Sequence, residues 1–205
     1  YLSFPSDLAD VVVKRLTMFK MMSDVVITDV SDETIQLGLL ESDGQNLSPF
    51  KLNDQQSIAL VDSVEGIKLA DINTWEQACI ENNLPEVYAQ TSEQFVPQLL
   101  NLDIGEVGVS FTKGCYPGQE VVARLHYLGK SKRRMRAFEC EQDLQVGDKL
   151  FALGSSSAKA SGVVVRCVKL EHKSLCLATI EVAHEDGEIT LNDAQGAKLI
   201  RIKHD

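Results

Sequence analysis

The sequence beyond Gly129 carries six short runs of apolar and β-branched residues, each bounded by turn-forming residues. No helical periodicity interrupts them. The runs occupy residues 135–140, 149–153, 162–168, 174–180, 188–191 and 198–202. Six short strands at this spacing predict a small antiparallel barrel or sandwich. The remaining 130 or so residues therefore need an architecture of their own.

The N-terminal part mixes helical and strand patterns. Apolar residues recur at helical spacing after Pro5-Ser6-Asp7 and predict an amphipathic helix; they are Leu8, Val11, Val12, Leu16 and Phe19. Runs at residues 24–30, 33–40, 58–61 and 67–69 predict strands, and Ser42-Asp43-Gly44 predicts the turn that ends the second run. The pattern favours a helix packed on a mostly antiparallel sheet.

Two more helices are predicted between these regions. Thr74-Trp75-Glu76-Gln77 matches a capping box and predicts a helix over residues 74–83. A second helix is expected over residues 117–126, with Pro117 as its first residue. The chain as a whole is α+β, with a predicted boundary that separates residues 1–130 from a β-domain at 131–205.

Composition limits the class of protein. The chain has 205 residues and a formal net charge of -10, which argues against nucleic-acid binding as a property of the whole surface. No apolar run reaches the length of a membrane span. Five widely spaced cysteines without a CxxC pair fit neither a disulfide framework nor a zinc site, so a reducing compartment, the cytoplasm, is expected. The first residue is not Met, so either the start was processed away or the chain is a piece of a longer polypeptide; since no cleavage context is visible, a piece is expected.

The most unusual segment is residues 111–120. Gly114 and Gly118 bracket Cys115, which is predicted to lie just ahead of a helix N-terminus. Helix-end N–H groups and the nearby Lys113 lower the pKa of a thiol in such a position, which would make Cys115 a reactive thiolate. The alternative is a buried structural cysteine in a tight turn. The residues alone leave both open.

Charge is concentrated in residues 113–136, which carry seven Lys and Arg residues against one acid, Glu120. A local basic segment on an acidic chain indicates a defined anionic partner, such as a carboxylate, a phosphate or an RNA backbone. The alternative is a solvated strand at 132–136 preceded by a Glu120–Arg124 helix pair.

The octapeptide Lys113-Gly114-Cys115-Tyr116-Pro117-Gly118-Gln119-Glu120 resembles the signature K-G-C-[FY]-x-G-Q-E of the YgfZ family. These are folate-binding proteins related to the T-protein (aminomethyltransferase) of the glycine cleavage system. Residues 25–30, 91–103 and 121–124 are also similar to the family's segments. The resemblance implies a T-protein-like cloverleaf of mixed α/β subdomains with a C-terminal antiparallel β-barrel. It also implies that a further N-terminal segment precedes this chain.

The resemblance further implies a folate-binding accessory protein that supports assembly or maintenance of iron–sulfur enzymes, including tRNA-modifying ones. The expected cofactor is tetrahydrofolate. Expected partners are iron–sulfur enzymes or assembly proteins, with tRNA as an indirect partner and no membrane. The alternative is a tetrahydrofolate-dependent aminomethyl transferase, so whether the chain is an enzyme is left open. A third hypothesis is a tRNA-binding module acting through residues 124–136.

Site residues follow from the same match. Cys115 is the candidate reactive thiol and Lys113 its electrostatic neighbour. Tyr116, Gln119, Glu120 and Arg124 are the candidate folate or anion site. No metal ligand is certain, and Cys115 is the one candidate ligand for an iron–sulfur cluster.

Overall fold

The computed structural model describes residues 1–21, 23–40, 47, 49–104, 107–155 and 160–203. It contains both helices and sheets, which confirms the predicted α+β class. The chain divides into two compact units. The N-terminal unit is Tyr1–Ala70 with Glu86–Ala89, and the C-terminal unit is Asp71–Pro85 with Gln90–Asp205. The boundary predicted after residue 130 falls inside the second unit and stays a prediction about domains.

The N-terminal unit combines a helix with a three-stranded antiparallel sheet. A 3-10 turn at Ser6–Leu8 leads into α1, Ala9–Lys20, where the sequence predicts a helix. The strands are β1, Ile35–Leu40, β2, Phe50–Lys51, and β3, Gln56–Val61, in the order β1-β3-β2. Leu8, Leu37 and Ala59 are buried. The α1 helix buries none of its own residues, so this unit has a small core.

Residues 24–30, predicted as a strand, form no ladder within the described chain, and the prediction is wrong there. Local turns use the backbone instead: the Glu33 and Thr34 N–H groups both donate to the Val30 carbonyl at 3.0 Å. The Asp29 carboxylate accepts the Ser31 hydroxyl at 2.6 Å and the Ser31 N–H at 2.9 Å, and these bonds lower the pKa of Asp29. Side-chain type alone therefore does not decide strand pairing.

Three smaller points concern strands and turns of the N-terminal unit. Residues 67–69 form no strand in the described structure, so that prediction is also wrong. The turn predicted at Ser42-Asp43-Gly44 lies outside the described residues. The short strand β2 is not predicted by the sequence, because two residues give no measurable alternation.

The C-terminal unit begins with α2, Ile72–Glu81. Its N-cap is Asp71, whose side chain accepts the Asn73 N–H at 2.8 Å. The helix therefore starts ahead of the predicted capping box, and Thr74 is already helical. Cys79 and Ile80 are buried on its inner side.

The irregular stretch before the signature loop is fixed by buried polar contacts. It contains two 3-10 turns, Ala89–Thr91 and Pro97–Leu100. The Gln98 amide, which is buried, donates to the Val122 carbonyl at 2.7 Å, and the Asn101 amide donates to the Met135 carbonyl at 2.9 Å. These bonds hold the stretch against the following helix and the first barrel strand.

The six predicted C-terminal strands are all present and close into an antiparallel barrel, which confirms that part of the fold. In barrel order they are β4, Arg133–Cys140, β7, Ser174–Glu181, β6, Gly162–Lys169, β5, Lys149–Ala152, β8, Ile189–Leu191, and β9, Lys198–Ile202. Its core includes Phe138, Leu150, Val164, Cys176 and Ile189. Within the described part of residues 135–200, the only helical segment is a short 3-10 turn, Val182–His184.

A bulge in β6 determines where Arg166 lies. Val164 is opposite Ala178, but Arg166 is opposite Leu177, because the register shifts between them. Residues directly opposite each other on paired strands point to the same face of the sheet. Arg166 therefore points to the face of Leu177 and not to the core face of Val164 and Ala178. Outside the barrel its guanidinium meets Glu76 of α2, with Nε–Oε2 at 2.7 Å.

No helix in the described part of the chain is both long and apolar enough to cross a membrane.

Candidate functional site

The signature loop enters its helix through a tight turn. Helix α3 spans Gln119–Leu128, and its N-cap, Gly118, has φ 89° and ψ 0°. These angles are those of the third residue of a type II turn, and Pro117 occupies the second position that such turns favour. The Gln119 N–H donates to the Tyr116 carbonyl at 3.3 Å, which closes the turn. Pro117 is therefore a turn residue, and the prediction that it begins the helix is wrong.

Gln119 closes the same turn a second time. Its side-chain Oε1 accepts the Tyr116 N–H at 3.3 Å. Two of the four residues predicted to form a folate or anion site, Tyr116 and Gln119, are therefore joined to each other. The Gln119 side chain therefore positions the turn, and Tyr116 is 44% exposed as a residue.

Cys115 immediately precedes this turn and is exposed. It lies four residues ahead of the first helical residue, farther from the helix end than the sequence predicts. An added Cβ at Gly114 would meet no atom within 4 Å, so the space on that side of Cys115 is open. Lys113 is also exposed, and no hydrogen bond or ion pair joins it to another group in the described chain.

The other four thiols lie in packed surroundings. Cys79, Cys140 and Cys176 are buried, and Cys167 is half-buried. Burial, with the Asp148 and Glu76 carboxylates as smaller causes, raises the pKa of Cys167 to about 11. Burial also raises the pKa of Cys176 well above its ordinary value. Since the thiolate is the nucleophile and the metal ligand, these two barrel cysteines are poor candidates for either role.

Glu120 and Arg124 lie one turn apart on α3 and are exposed. The described structure contains no ion pair between them, so the alternative of a Glu120–Arg124 helix pair is not realised. Arg124 is therefore an exposed cation on α3 that can meet an anionic ligand.

The basic segment separates into two groups. Arg133 pairs with Glu181 at 3.2 Å, Arg136 pairs with Glu185 at 2.8 Å, and Arg134 forms a two-pronged pair with Asp103. Acids of their own unit neutralise these three arginines, which leaves them poorly suited to bind an anionic ligand. Lys113, Arg124, Lys130 and Lys132 are exposed and have no side-chain partner among the described residues.

An aromatic cluster that sequence reasoning missed connects the loop to α3. The Phe111 and His126 rings stack with centroids 3.7 Å apart and an interplanar angle of 16°. Tyr127 meets both rings edge-on, at 6.1 Å from Phe111 and 4.8 Å from His126. Phe111 and His126 are fifteen positions apart, and no periodic signal links residues on a loop and a helix.

A separate groove of about 1000 Å³ opens in the N-terminal unit. Residues of α1 and of segment 23–31 line it, and its wall is mostly apolar, with Val13, Leu16 and Leu60 among its members. The Asp29 carboxylate and Ser31 add polar groups. A cavity of this size and character can hold a drug-sized organic molecule.

The described residues supply no group of three or more side chains arranged to hold a metal ion. An iron–sulfur cluster is ordinarily held by about four thiolates. This chain offers one exposed thiol, Cys115, so the residues present do not fit a resident cluster.

Comparison with known proteins defines the family. No family model matches the chain. The tRNA-modifying protein YgfZ of Colwellia psychrerythraea is 33% identical over 144 residues, covering 67% of this chain and 44% of that protein. The protein of the same name from Pectobacterium carotovorum is 30% identical over 157 residues, covering 75% and 44%. That of Hamiltonella defensa is 37% identical over 136 residues, covering 64% and 37%.

The chain spans less than half the length of these curated relatives. The fold and the loop define an α+β protein with a C-terminal antiparallel barrel and an exposed cysteine between two glycines. With these relatives, they identify the chain as a member of the YgfZ family.

Proposed function

We propose that this chain acts in tRNA modification as a folate-binding accessory protein in the cytoplasm, with Cys115 as its functional group. The observation that carries the proposal is the exposure of Cys115 while the other four cysteines lie in packed surroundings. The relatives named as tRNA-modifying proteins support the process in which it acts. In this proposal the clients are iron–sulfur enzymes or their assembly proteins, and tRNA is reached through them.

The exposed thiol favours transient contact with a client over storage of a cluster. A thiolate on a loop can reach a partner's metal or sulfur, and the open side at Gly114 leaves room for that approach. The absence of further exposed thiols in the described chain argues that any cluster bound through Cys115 draws its other ligands from the partner. Lys113 lies two residues from this cysteine in the same exposed loop.

Tetrahydrofolate is the proposed ligand, and two features support it. The groove in the N-terminal unit offers apolar walls of sufficient size, with the Asp29 and Ser31 polar groups to orient a flat heteroaromatic ring. In the C-terminal unit, Arg124 is an exposed cation without a partner in the described chain, and such a group suits the carboxylates of folate. Tyr116, Gln119 and Glu120 complete the candidate contacts there.

The thiol is tested in cells that lack the gene. The full-length gene product carrying Cys115→Ala is expressed in the deletion strain, and modified nucleosides in tRNA are quantified by mass spectrometry. We expect Cys115→Ala to fail to restore modification while its thermal unfolding is unchanged, because an exposed side chain contributes little to packing. Thr112→Ala, a neighbouring exposed loop variant, should restore it fully. Restoration by folded Cys115→Ala would overturn the proposal.

Folate binding is tested by calorimetric titration of the full-length protein with tetrahydrofolate. Ala9→Phe fills the groove, whereas Arg124→Ala removes the cation on α3, so the two variants distinguish the two candidate surfaces. Loss of binding in either variant identifies its surface, and unchanged binding in both would exclude these contacts. Turnover of a one-carbon donor by the wild-type protein would favour the aminomethyl transferase alternative.

A further inference from the structure

The C-terminal half of α3 carries an aromatic group that the proposed function does not use. Tyr127 is 66% exposed, although it touches Phe111 and His126 edge-on. Both contacts are T-shaped, so neither residue stacks face to face with the Tyr127 ring. Contact with the stacked Phe111–His126 pair restrains the Tyr127 side chain, and its exposed part is available to a flat ligand.

Exposed cations lie on the same helix as this ring or close to it in the sequence. Arg124 and Tyr127 are three residues apart on α3 and therefore share a helix face. Lys130 and Lys132 follow the helix directly, and Lys113 lies two residues from Phe111. All four cations are exposed and lack side-chain partners in the described ranges, whereas Arg133, Arg134 and Arg136 are paired with acids.

We propose that Arg124, Tyr127, Lys130, Lys132 and Lys113, here called the α3 surface, bind single-stranded RNA directly. Bases stack on the Tyr127 ring and phosphates contact the four cations, which is how sequence-tolerant single-strand binding works. The inference rests on the proposed role in tRNA modification and makes tRNA a direct partner through its unpaired loops. The paired arginines 133–136 are not part of the surface.

The charge of the whole protein does not prevent this contact. The chain carries a net charge of -10, but charges are screened over about 8 Å at physiological ionic strength. Glu120 is the only acid in residues 113–136, and the acids that Arg133, Arg134 and Arg136 meet are neutralised in those pairs. An acidic peptide would use the same cations but would gain nothing from an uncovered ring, so the combination favours RNA.

The test is fluorescence anisotropy of the full-length protein with a short labelled single-stranded RNA. With four phosphate contacts, the logarithm of affinity should fall with the logarithm of salt concentration at a slope of about -3. The same RNA annealed to its complement should bind more weakly, since its bases are no longer free to stack. Equal affinity for single strand and duplex would contradict the stacking contact.

Two pairs of variants test the components separately. Tyr127→Ala should weaken binding about tenfold, while Tyr127→Phe, which keeps the ring, should bind as wild type. Lys130→Gln with Lys132→Gln should flatten the salt slope by about 1.4. The control, Lys149→Gln with Lys169→Gln, makes the same charge change on the barrel and should leave the slope unchanged.

The outcomes separate this inference from the proposed function. No RNA binding, or binding insensitive to Tyr127→Ala and to the Lys130/Lys132 pair, overturns the α3 surface even if Cys115→Ala still abolishes tRNA modification. RNA binding with the expected dependence supports the surface even if Cys115→Ala proves harmless and the proposed function fails. Tight binding of a polyglutamate peptide, with RNA unbound, would assign the surface to an acidic protein partner and reject RNA.

Discussion

The Arg166 guanidinium donates two hydrogen bonds to the Glu76 carboxylate, from Nε to Oε2 at 2.7 Å and from Nη2 to Oε1 at 3.0 Å. A third donor, Nη1, reaches the Leu84 carbonyl at 3.2 Å. The pair fastens α2 to the outside of the barrel, where only 6% of the Arg166 side chain is exposed. The β6 bulge makes this contact possible, because it sets Arg166 opposite Leu177 instead of on the core face.

Glu76→Ala should lower the free energy of unfolding by about 3 kcal/mol, because it removes the carboxylate that neutralises the buried Arg166 guanidinium. Denaturant unfolding measures the loss. The control is Asp143→Ala, which breaks the Lys169–Asp143 pair whose side chains are each 69% exposed, and it should change stability by about 0.5 kcal/mol or less. Equal effects of the two substitutions would contradict a structural role for the buried pair.

Alkaline pH should destabilise the barrel through its cysteines. The folded state keeps the Cys167 proton until about pH 11, whereas an unfolded thiol ionises near its ordinary value of 9.0. The unfolded state therefore loses its proton first, so stability present below pH 9 is lost as pH rises towards 11. Cys176 acts in the same direction.

Urea unfolding at a series of alkaline pH values measures this decline. Cys167→Ala should make the decline shallower, because one of the groups that ionises on unfolding is gone. Val168→Ala, at a neighbouring buried position, should lower stability by a similar amount at every pH and keep the slope. An unchanged slope in Cys167→Ala would show that other groups cause the alkaline loss.

The fold was predictable where local signals agree with tertiary packing. Each barrel strand has both an apolar pattern and a turn at its end, so all six are found within two residues of their predicted limits. Residues 24–30 have the apolar pattern of a strand. A strand also needs a neighbouring strand edge to pair with, and the sequence does not show whether one is available. The start of α2 was missed because Asp71 provides the cap that the pattern assigned to Thr74.

The motif locates the candidate site but not its surroundings. The octapeptide points to Cys115, Tyr116, Gln119 and their neighbours, and the exposure of Cys115 argues against the alternative of a buried structural cysteine. The division of the basic segment was not predictable, since it depends on distant acids. Arg134 meets Asp103 and Arg136 meets Glu185, and neither separation corresponds to a local pattern.

Alkylation of the native protein should modify Cys115 first. Cys115 is exposed, whereas Cys140 and Cys176 lie inside the barrel core. Iodoacetamide followed by peptide mass spectrometry should detect one modified cysteine before unfolding and all five in denaturant. Early labelling of Cys140 or Cys176 under native conditions would mean that the barrel opens readily.

Gly118→Ala should destabilise the turn that precedes α3, although there is space for the added methyl group. An added Cβ meets nothing within 4 Å, but φ is 89°, a conformation that L-residues with a side chain rarely adopt. The expected loss in the free energy of unfolding is about 1 kcal/mol. Gly114→Ala is the matched control, since its site is equally open and its φ lies outside that region, and it should be neutral. A neutral Gly118→Ala would show that the turn relaxes.

Gly162→Ala should damage the barrel for the opposite reason, lack of space. A Cβ at Gly162 would lie 1.8 Å from the Thr179 carbonyl oxygen and 2.8 Å from its carbon, both backbone atoms of the adjacent strand. Strands β6 and β7 would have to separate where Val163 pairs with Thr179, and the expected loss is about 3 kcal/mol. Because the clash is with backbone, shortening a neighbouring side chain cannot relieve it. Thr179→Ala should therefore leave the Gly162→Ala defect unrepaired in a double-mutant unfolding experiment, and recovery in the double mutant would contradict this origin of the strain.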